Sequence, residues 1–386
     1  MIKFLSSERC TGCEACANVC PQKCISFQTD SEGFFYPEIN VAKCRNCHLC
    51  EKICPVLRPP STFRRQGVYA AKNPDEKIRM ESSSGGVFSM LCEAVLAENG
   101  IVFGAAWTQD WNLSHVAVES LEQLKRFRGS KYVQSRIGNS YRQVKSYLED
   151  GRKVLFSGTA CQIAGLRNFL QRDYVNLLTV DVVCHGVPSP GVWKRYLNAL
   201  TGNRTVTGIE FRNKKYGWSK FSLKIECVGW TYQQTLCDDL FMKGFLRNLY
   251  LRPSCGTCPF KGPFGISDLS LADYWGIGRF HPDFNDNRGV SLVLTNTEKG
   301  ADLLNRLNLT MITTPYSEAL AGNSALERSH RFSSNRSAFF KSFEKDPVDL
   351  LAQIAKYTKI SLWKKCYYSG RGFLGRILRA VGMRRR

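Results

Sequence analysis

The sequence predicts an α+β chain with a small cysteine-rich segment at the N terminus, then an α/β domain with a mixed, partly parallel sheet, then a helical C-terminal extension. Three observations lead to that prediction. Two cysteine runs of identical spacing fill the first 57 residues, short apolar strands alternate with helical stretches as far as residue 307, and the remainder has helical periodicity. A chain of 386 residues is long enough for two or three domains with cores of their own.

We divide the chain into five segments. Residues 1–57 form the cysteine-rich domain, and residues 58–66, with two prolines and three arginines, form a linker. The α/β domain has an N-terminal part at 67–150 and a C-terminal part at 151–320. A basic helical extension covers 321–386.

The cysteine runs each read C-x2-C-x2-C-x3-C-P. This is the pattern with which bacterial-type ferredoxins hold two [4Fe–4S] clusters. Three cysteines of a run wrap one cluster, and the fourth lies too far along the chain and binds the other cluster. The two predicted ligand sets are Cys10, Cys13, Cys16 and Cys54, and Cys44, Cys47, Cys50 and Cys20.

Zinc sites or a disulfide framework are the alternatives for this segment. Zinc sites rarely repeat four cysteines at this pitch, so we favour the two clusters. Between the runs, Ile25–Gln28 and Phe34–Ile39 flank the turn Asp30–Gly33, which predicts a β-hairpin. Cys24 lies outside the ligand pattern and is expected to pack near a cluster.

The α/β domain follows from short strands that alternate with helices, an order typical of a parallel sheet. We predict mostly loop at 253–275. In chain order the predicted elements are strand 67–71, helix 87–98, strand 101–107, helix 136–149, strand 153–156, helix 163–170, strand 177–183, helix 192–200, strands 209–212 and 221–228, helix 240–251, strand 290–294 and helix 298–307.

A third group of four cysteines is predicted within this domain. Cys161 and Cys184 follow two of the parallel strands, whose carboxyl ends share one edge of the sheet, the edge at which open α/β sheets bind ligands. Cys255 and Cys258 form a C-x2-C loop with metal-ligand spacing. The four together predict a third four-thiolate site, and the spacing leaves [4Fe–4S] and zinc both open. Alternatively, Cys161 and Cys184 are small buried hydrophobic residues and the C-x2-C pair is separate.

A polar loop precedes the first helix of the domain. Its residues Ser83, Ser84, Gly85 and Gly86 can present backbone N–H groups to a phosphate or to the edge of a flavin. An ordinary serine N-cap with a glycine hinge is the simpler interpretation of the loop alone. The chain contains neither G-x-G-x-x-G nor G-x-x-x-x-G-K-[ST], so a Rossmann dinucleotide site and a P-loop are both unsupported.

The formal charge of +21 is concentrated at the C terminus, where residues 356–386 hold ten Lys/Arg and no Asp or Glu. Anionic clusters would offset part of the remaining excess, so we do not predict nucleic-acid binding. The tail suits an anionic membrane surface or an acidic partner. An apolar stripe that includes Phe373, Ile377 and Val381 predicts a helix that lies in a membrane interface or docks on the protein.

No apolar run is long enough to span a membrane, and the first seven residues are too few for a signal peptide. Seventeen cysteines in such a chain indicate a reducing compartment. We therefore expect a cytoplasmic protein, with contact at the inner face of the membrane through the tail.

Six further motifs, in this order, resemble those of the coenzyme F420 hydrogenase/dehydrogenase beta-subunit family over residues 1 to about 320. Ala160 and Ala272 stand where the family commonly has Pro and Gly. The motifs are Ser83–Val87 (SSGGV), Gly129–Ser135 (GSKYVQS), Gly158–Leu166 (GTACQIAGL), Val183–Pro190 (VCHGVPSP), Arg252–Pro259 (RPSCGTCP) and Asp268–Gly276 (DLSLADYWG).

The resemblance implies an α/β flavin and iron–sulfur domain, FAD, [4Fe–4S] clusters, and often coenzyme F420, a deazaflavin, as hydride partner. It implies a flavin site between the Ser83–Gly86 loop and the 129–135 segment, which includes Lys131 and Tyr132. Catalytic residues remain unassigned. Because flavin exchanges both hydride and single electrons, it belongs between a hydride carrier and the clusters.

Three functions follow from these observations. The first is an iron–sulfur flavoprotein oxidoreductase that serves a small-molecule hydride carrier or a redox partner protein. The second is a flavin-free electron-carrier subunit that serves a partner enzyme. The third, a metal-stabilised nucleic-acid binder, is suggested by charge alone. An ultraviolet–visible spectrum distinguishes them, since flavin bands, a cluster shoulder, or neither would be seen.

Substitution of one cysteine in each run tests the two ligand sets. In the full chain purified without oxygen, Cys13→Ser should remove about four iron and four sulfide by disrupting the first cluster, and Cys47→Ser should do the same at the second. Iron and acid-labile sulfide per chain are the measurement. Cys237→Ser, outside every predicted set, should change neither. Zinc in place of iron would contradict the assignment.

Overall fold

The computed structural model describes residues 6–345 and 349–359. The predicted amphipathic helix of the basic tail lies outside these residues. Among the described residues, no helix combines the length and the apolar character needed to cross a membrane.

Thirteen strands occur in the described residues. Apart from the hairpin β1–β2, they form an eight-stranded sheet in the order β13-β3-β12-β11-β7-β6-β4-β5 and an antiparallel sheet in the order β10-β9-β8. The strands are β1 Ile25–Thr29, β2 Phe35–Ile39, β3 Gly67–Lys72, β4 Ile101–Trp107, β5 Leu113–Val118, β6 Val154–Thr159, β7 Leu177–Val182, β8 Val206–Asn213, β9 Ser222–Cys227, β10 Trp230–Thr235, β11 Leu269–Asp273, β12 Ser291–Thr295 and β13 Thr310–Thr313.

Fourteen α-helices connect and cover these sheets in the described residues. They are α1 Ala15–Val19, α2 Leu49–Lys52, α3 Glu76–Glu81, α4 Val87–Ala97, α5 Leu121–Leu124, α6 Ser140–Glu149, α7 Ala160–Leu170, α8 Pro190–Thr201, α9 Leu240–Leu246, α10 Ile277–Phe280, α11 Glu298–Arg306, α12 Tyr316–Gly322, α13 Arg336–Lys345 and α14 Leu350–Tyr357.

The large sheet is mixed and partly parallel, as the sequence predicts. Strands β4, β6, β7 and β11 are parallel neighbours, whereas the outer strands pair antiparallel. The parallel register sets Thr159 opposite Val182, so β6 and β7 end side by side. The chain segments that follow them therefore leave from the same edge of the sheet.

Helices cover both faces of this sheet because its central strands are apolar on both sides. On one face, Leu91 and Val95 of α4 pack over Leu155 of β6 and Leu178 of β7. On the other face, α6 and α7 pack over Phe103 and its neighbours in β4 and β6. A separate core around Trp193 and Phe241 joins α8 and α9 to the small sheet and to α13 and α14.

The structure differs from the predicted elements at several boundaries. The helix predicted at 136–149 begins only at Ser140, because the Glu14 carboxylate accepts the N–H groups of Ile137 and Gly138. The helix predicted at 240–251 ends at Leu246, and Asn248 turns the chain with φ of 58°. The predicted loop at 253–275 contains β11, a strand of the central sheet.

The sequence also did not predict strands β5, β10 and β13. Each pairs antiparallel with a neighbouring strand and lies at the edge of its sheet. These three strands are only partly buried, so their apolar pattern is weak, and pairing with a neighbour rather than local preference defines them.

The N-terminal segment docks on the α/β domain through Glu14, whose side chain is only 3% exposed. Its Oε1 accepts a bond of 2.5 Å from Arg136 Nε, and the N–H groups of Ile137 and Gly138 complete the carboxylate's partners. Nearby, the Arg142 guanidinium donates to the carbonyls of Ala17, Asn18 and Cys20. A buried ionic contact thus fixes α1 against the domain.

Removal of the Glu14 carboxylate should weaken this docking. Glu14→Ala leaves the buried N–H of Ile137, the N–H of Gly138 and the partly exposed Arg136 without their acceptor, so the free energy of unfolding should fall by about 2 kcal/mol. Denaturant unfolding measures the change. Glu98→Ala is the matched control, because its pair with Lys153 is exposed and should contribute under about 1 kcal/mol. Equal losses in the two variants would contradict a docking role for Glu14.

Candidate metal centres and the adjoining cavity

The structure brings the first predicted ligand set together at the start of α1. Burial raises the pKa of the Cys13 thiol, and negative charge on Cys54 and Cys10 raises it further. Burial likewise raises the pKa of Cys16, and Cys13, Cys10 and Cys54 act on it in the same direction. The four thiols are therefore close enough to interact, although they come from both ends of the N-terminal segment.

The second predicted set lies at the surface. Cys47 is exposed, Cys44 and Cys50 are half-buried, and Cys20 is buried. Cys50 acts electrostatically on Cys16 of the first set. The second set thus lies outside the first.

Cys24, which the sequence places outside the ligand pattern, packs beside the second set. Its Sγ is 3.3 Å from Cys20 Sγ. Burial raises its pKa to about 11, and Cys20 and then Cys44 raise it further. Cys24 therefore packs directly against one of the predicted ligands of the second set.

The third predicted set lines a cavity of about 700 Å³ at the carboxyl edge of the sheet. Cys161 lies in the first turn of α7, and Cys184 follows β7. Cys255 and Cys258 come from a 3-10 turn at Pro253–Thr257. The structure thus brings together thiols from three separate parts of the chain on one cavity wall.

These four thiols also interact electrostatically. Burial raises the pKa of Cys161 to about 12, and charges on Cys258 and Cys184 add to the increase. Burial raises the pKa of Cys255, and charges on Cys184, Cys161 and Cys258 oppose its ionisation further. Four such thiols can all be thiolates only if a cationic group lies among them.

No group of three or more His, Cys, Asp or Glu residues in the described chain is arranged to hold a metal ion. The missing arrangement is one in which all the ligands surround a single metal ion. The four thiolates of a [4Fe–4S] cluster bind four different irons and lie farther apart than thiolates that share one zinc. A half-buried wall made of four thiols beside a cavity fits the larger group by its chemistry.

The first and third sets meet across α7. A Cβ added to Gly165 would lie 3.2 Å from Cys13 Sγ, so a larger residue here would require the Cys13 side chain to shift by a few tenths of an ångström. Cys161 lies one turn earlier on the same helix, and its charge acts on Cys13. Thr11 and Gly12 of the first set's loop also line the cavity.

The polar loop before α4 reaches the same cavity. Ser83, Ser84 and Gly86 line it, together with the first residues of α4, so the positive end of the helix dipole faces the cavity. Gly85 does not line the cavity. Its N–H donates to Ser291 Oγ, and an added Cβ would lie 2.3 Å from the Ala71 carbonyl oxygen.

Lys131 and Tyr132 line the cavity beside this loop. The Lys131 ammonium donates to the carbonyls of Phe127, Arg128 and Gly129 at 3.1–3.4 Å. Burial alone lowers the pKa of Lys131 to about 7, because no carboxylate among the described residues lies close enough to stabilise the charged ammonium. The cavity wall thus holds a cation whose charge changes near neutral pH.

An ion pair that the sequence did not predict forms the adjoining wall. Arg212 of β8 makes two hydrogen bonds of 2.7 and 2.8 Å to Asp273 at the end of β11, and Trp218 Nε1 donates to the same carboxylate. Arg212 also donates to Tyr132 Oη and to the Ser83 carbonyl. Asp273 lies in the DLSLADYWG motif, so the sequence marked it as a candidate site residue. Its partner Arg212 lies on β8, which is distant in sequence, so the pairing could not be predicted.

His185, next to Cys184, is a hydrogen-bonding neighbour. Its Nε2 lies 2.7 Å from Asn248 Oδ1, and its ring stacks on His330 with centroids 3.9 Å apart. Burial lowers its pKa to about 4. It is therefore neutral at physiological pH.

Comparison with known families agrees with this geometry. The family models for the N-terminal and the C-terminal parts of the coenzyme F420 hydrogenase/dehydrogenase beta subunit match residues 68–140 and 151–316, together more than half of the chain. The chain belongs to this family. A model described as "4Fe-4S dicluster domain" matches residues 9–57. This beta-subunit homologue with its dicluster segment is an iron–sulfur electron-transfer oxidoreductase.

A solved structure titled "Xenon derivatization of the F420-reducing [NiFe] hydrogenase complex from Methanosarcina barkeri" contains a similar chain. The identity is 17% and the TM-score 0.45, over 77% of this chain and 93% of that one. No curated protein matches the chain.

The depressed pKa of Lys131 predicts a pH-dependent contribution to stability. The unfolded side chain titrates near 10.4, so between pH 7 and 10 the unfolded state binds more protons and the free energy of unfolding rises with pH. Relative to Lys131→Met, the wild-type protein should gain up to about 1.4 kcal/mol per pH unit above pH 7. Anaerobic denaturant unfolding at pH 6, 7, 8 and 9 measures this difference.

Lys125→Met is the control, because Lys125 is exposed on the neighbouring 3-10 turn. It should show no such slope. If the difference in free energy of unfolding between the wild type and Lys131→Met also did not change with pH, Lys131 would be charged throughout this range.

Proposed function

We propose that the protein is an iron–sulfur flavoprotein oxidoreductase, with FAD in the cavity and three [4Fe–4S] clusters that connect it to the surface. The observation that supports it is one cavity lined both by the four thiols of the third set and by the N terminus of α4. A hydride-accepting cofactor and a one-electron acceptor would thus be neighbours.

The residues present fit a dinucleotide flavin. The α4 N terminus, with the Ser83 hydroxyl, would hold phosphate oxygens, whereas the Ser84 hydroxyl donates to the Val290 carbonyl. Lys131 supplies a nearby cation. Tyr132, stacked on Phe245 with centroids 4.8 Å apart, adds an aromatic surface. FAD there would supply the exchange between a two-electron hydride and single electrons.

The protein side of this reaction is positioning and insulation. The Arg212–Asp273 pair holds the Ser83 carbonyl and Tyr132, which fixes the loop and the aromatic wall relative to each other. Leu113, Val133 and Phe221 give part of the cavity an apolar lining that excludes water.

The three thiol sets would form a relay. The third set lies at the cavity, the first lies behind it across Gly165, and the second ends at the exposed Cys47. A partner protein would exchange electrons at the second set, and a small hydride carrier, coenzyme F420 or a related molecule, would enter the cavity. A flavin-free electron carrier is the competing outcome.

Spectroscopy and iron analysis test this function. The anaerobically purified or reconstituted chain should show flavin bands over a broad cluster absorption, and about twelve iron per chain. About eight iron would contradict the third cluster. No flavin after reconstitution would leave the electron-carrier function.

Ser83→Leu is the variant for the flavin site, because Ser83 lines the cavity and Leu would fill the space at the helix N terminus. Flavin content should fall several-fold while iron is retained. Ser120→Leu, the same change at an exposed position, is the matched control. Gly85→Leu is unsuitable, since its side chain would meet the Ala71 backbone rather than the cavity.

A further inference from the structure

A completely buried arginine lies between the first and third thiol sets. Arg252 has 0% exposure. Its Nε donates to the Cys10 carbonyl at 2.8 Å, Nη1 to Gln134 Oε1 at 2.9 Å and Nη2 to the Phe35 carbonyl at 3.1 Å. Each of these acceptors is uncharged.

The backbone of Arg252 belongs to the third set. Its N–H donates to the Val187 carbonyl, three residues after Cys184, and its own carbonyl accepts the N–H of Cys255. The side chain belongs to the first set, because the guanidinium packs on Gly12, where an added Cβ would lie 3.0 Å from Arg252 Cζ. One residue therefore connects both ligand loops.

No described carboxylate forms an ion pair with this guanidinium within 4.0 Å; Asp30 acts on it from farther away. Burial raises the pKa of the half-buried Asp30 carboxyl, while the Phe34 N–H and the charge of Arg252 lower it in part. The aromatic rings of Phe34 and Tyr36 lie 5.6 and 4.1 Å from Arg252 Cζ. Neither hydrogen bonds to carbonyls nor ring contacts neutralise a buried charge.

The charge of Arg252 acts on one thiol of the third set, and its side chain contacts the backbone of the first set. Burial raises the pKa of Cys161, and the positive charge of Arg252 partly counteracts this increase. The Arg252 side chain also donates to the Cys10 carbonyl. Each proposed cluster with its four thiolates carries net negative charge. The two inner clusters would therefore supply the close counter-charge that no described carboxylate provides within ion-pair distance.

We propose that Arg252 is the shared buried counter-cation of the first and third clusters, and that it raises the reduction potentials of both relative to the second. This rests on the proposed clusters. Reduction adds one negative charge to a cluster, so a fixed cation nearby stabilises the reduced form more than the oxidised form. The second cluster, at the solvated surface around Cys47, lies outside its contacts.

The test is an EPR-monitored redox titration of the full chain, with signals assigned by their loss in Cys13→Ser, Cys47→Ser and Cys258→Ser. Arg252→Gln should lower the midpoint potentials of both inner clusters and leave the second unchanged. Arg252→Lys keeps the charge but cannot reproduce all three hydrogen bonds, so its potentials should stay near those of the wild type.

Arg336→Gln is the matched control. Arg336 donates to the neighbouring Leu251 carbonyl, but its charge is paired with Glu32. It should shift no cluster potential. Equal shifts in Arg252→Gln and Arg252→Lys, no shift in either, or an equal shift of the second cluster would overturn the proposal.

If Arg252→Gln retains no clusters, Arg252→Lys decides alone. Three clusters with wild-type potentials support the role of the charge, and cluster loss in that variant overturns it. About eight iron in the wild type would remove the third cluster and the shared role with it. A protein with about twelve iron per chain but no flavin would contradict the proposed flavoprotein function. The cluster potentials of the Arg252 variants could still be measured in that protein, so the proposal for Arg252 would still be tested.

Discussion

The contact between Cys13 and Gly165 determines how close the N-terminal segment can come to the α/β domain. A methyl group at position 165 would be 3.2 Å from the sulfur, so glycine at this position lets Cys13 pack closely on α7. Glu14, the next residue, is held in place by Arg136 and two backbone N–H groups. Packing and a buried ion pair thus set the separation of the first and third thiol sets.

The cavity depends on the parallel pairing of β6 and β7. Since these strands end side by side, Cys161 and the segment that carries Cys184 start from the same edge. The missed strand β11 extends the edge and places Asp273 on the cavity wall, where it pairs with Arg212. The site is therefore assembled from strand ends, as is general for open α/β sheets.

The mixed, partly parallel sheet and the hairpin of the N-terminal segment were predictable from the sequence, because both depend on local periodicity and turn residues. Identical spacing likewise pointed to the cysteine sets. Glu14, Arg212 and Arg252 could not be predicted, since each acts through partners more than 60 residues away. For Gly85 the sequence predicted a place at the cofactor site that the structure does not show. Its motif pointed to the cavity, but the residue packs against the backbone of β3 and against Ser291.

The third thiol set draws its members from positions 161, 184, 255 and 258, and the first set unites residues near both ends of a 57-residue segment. Metal capture at the proposed third site would have to wait until the sheet and the 3-10 turn have formed, since closing loops of this length costs entropy in an unfolded chain. The two N-terminal sets each draw three thiols from seven consecutive residues, 10–16 and 44–50, and the fourth from the other run. If the proposed clusters form, biogenesis would therefore have a built-in order, in which iron enters the two N-terminal sites first and the third site last, once folding has closed around it.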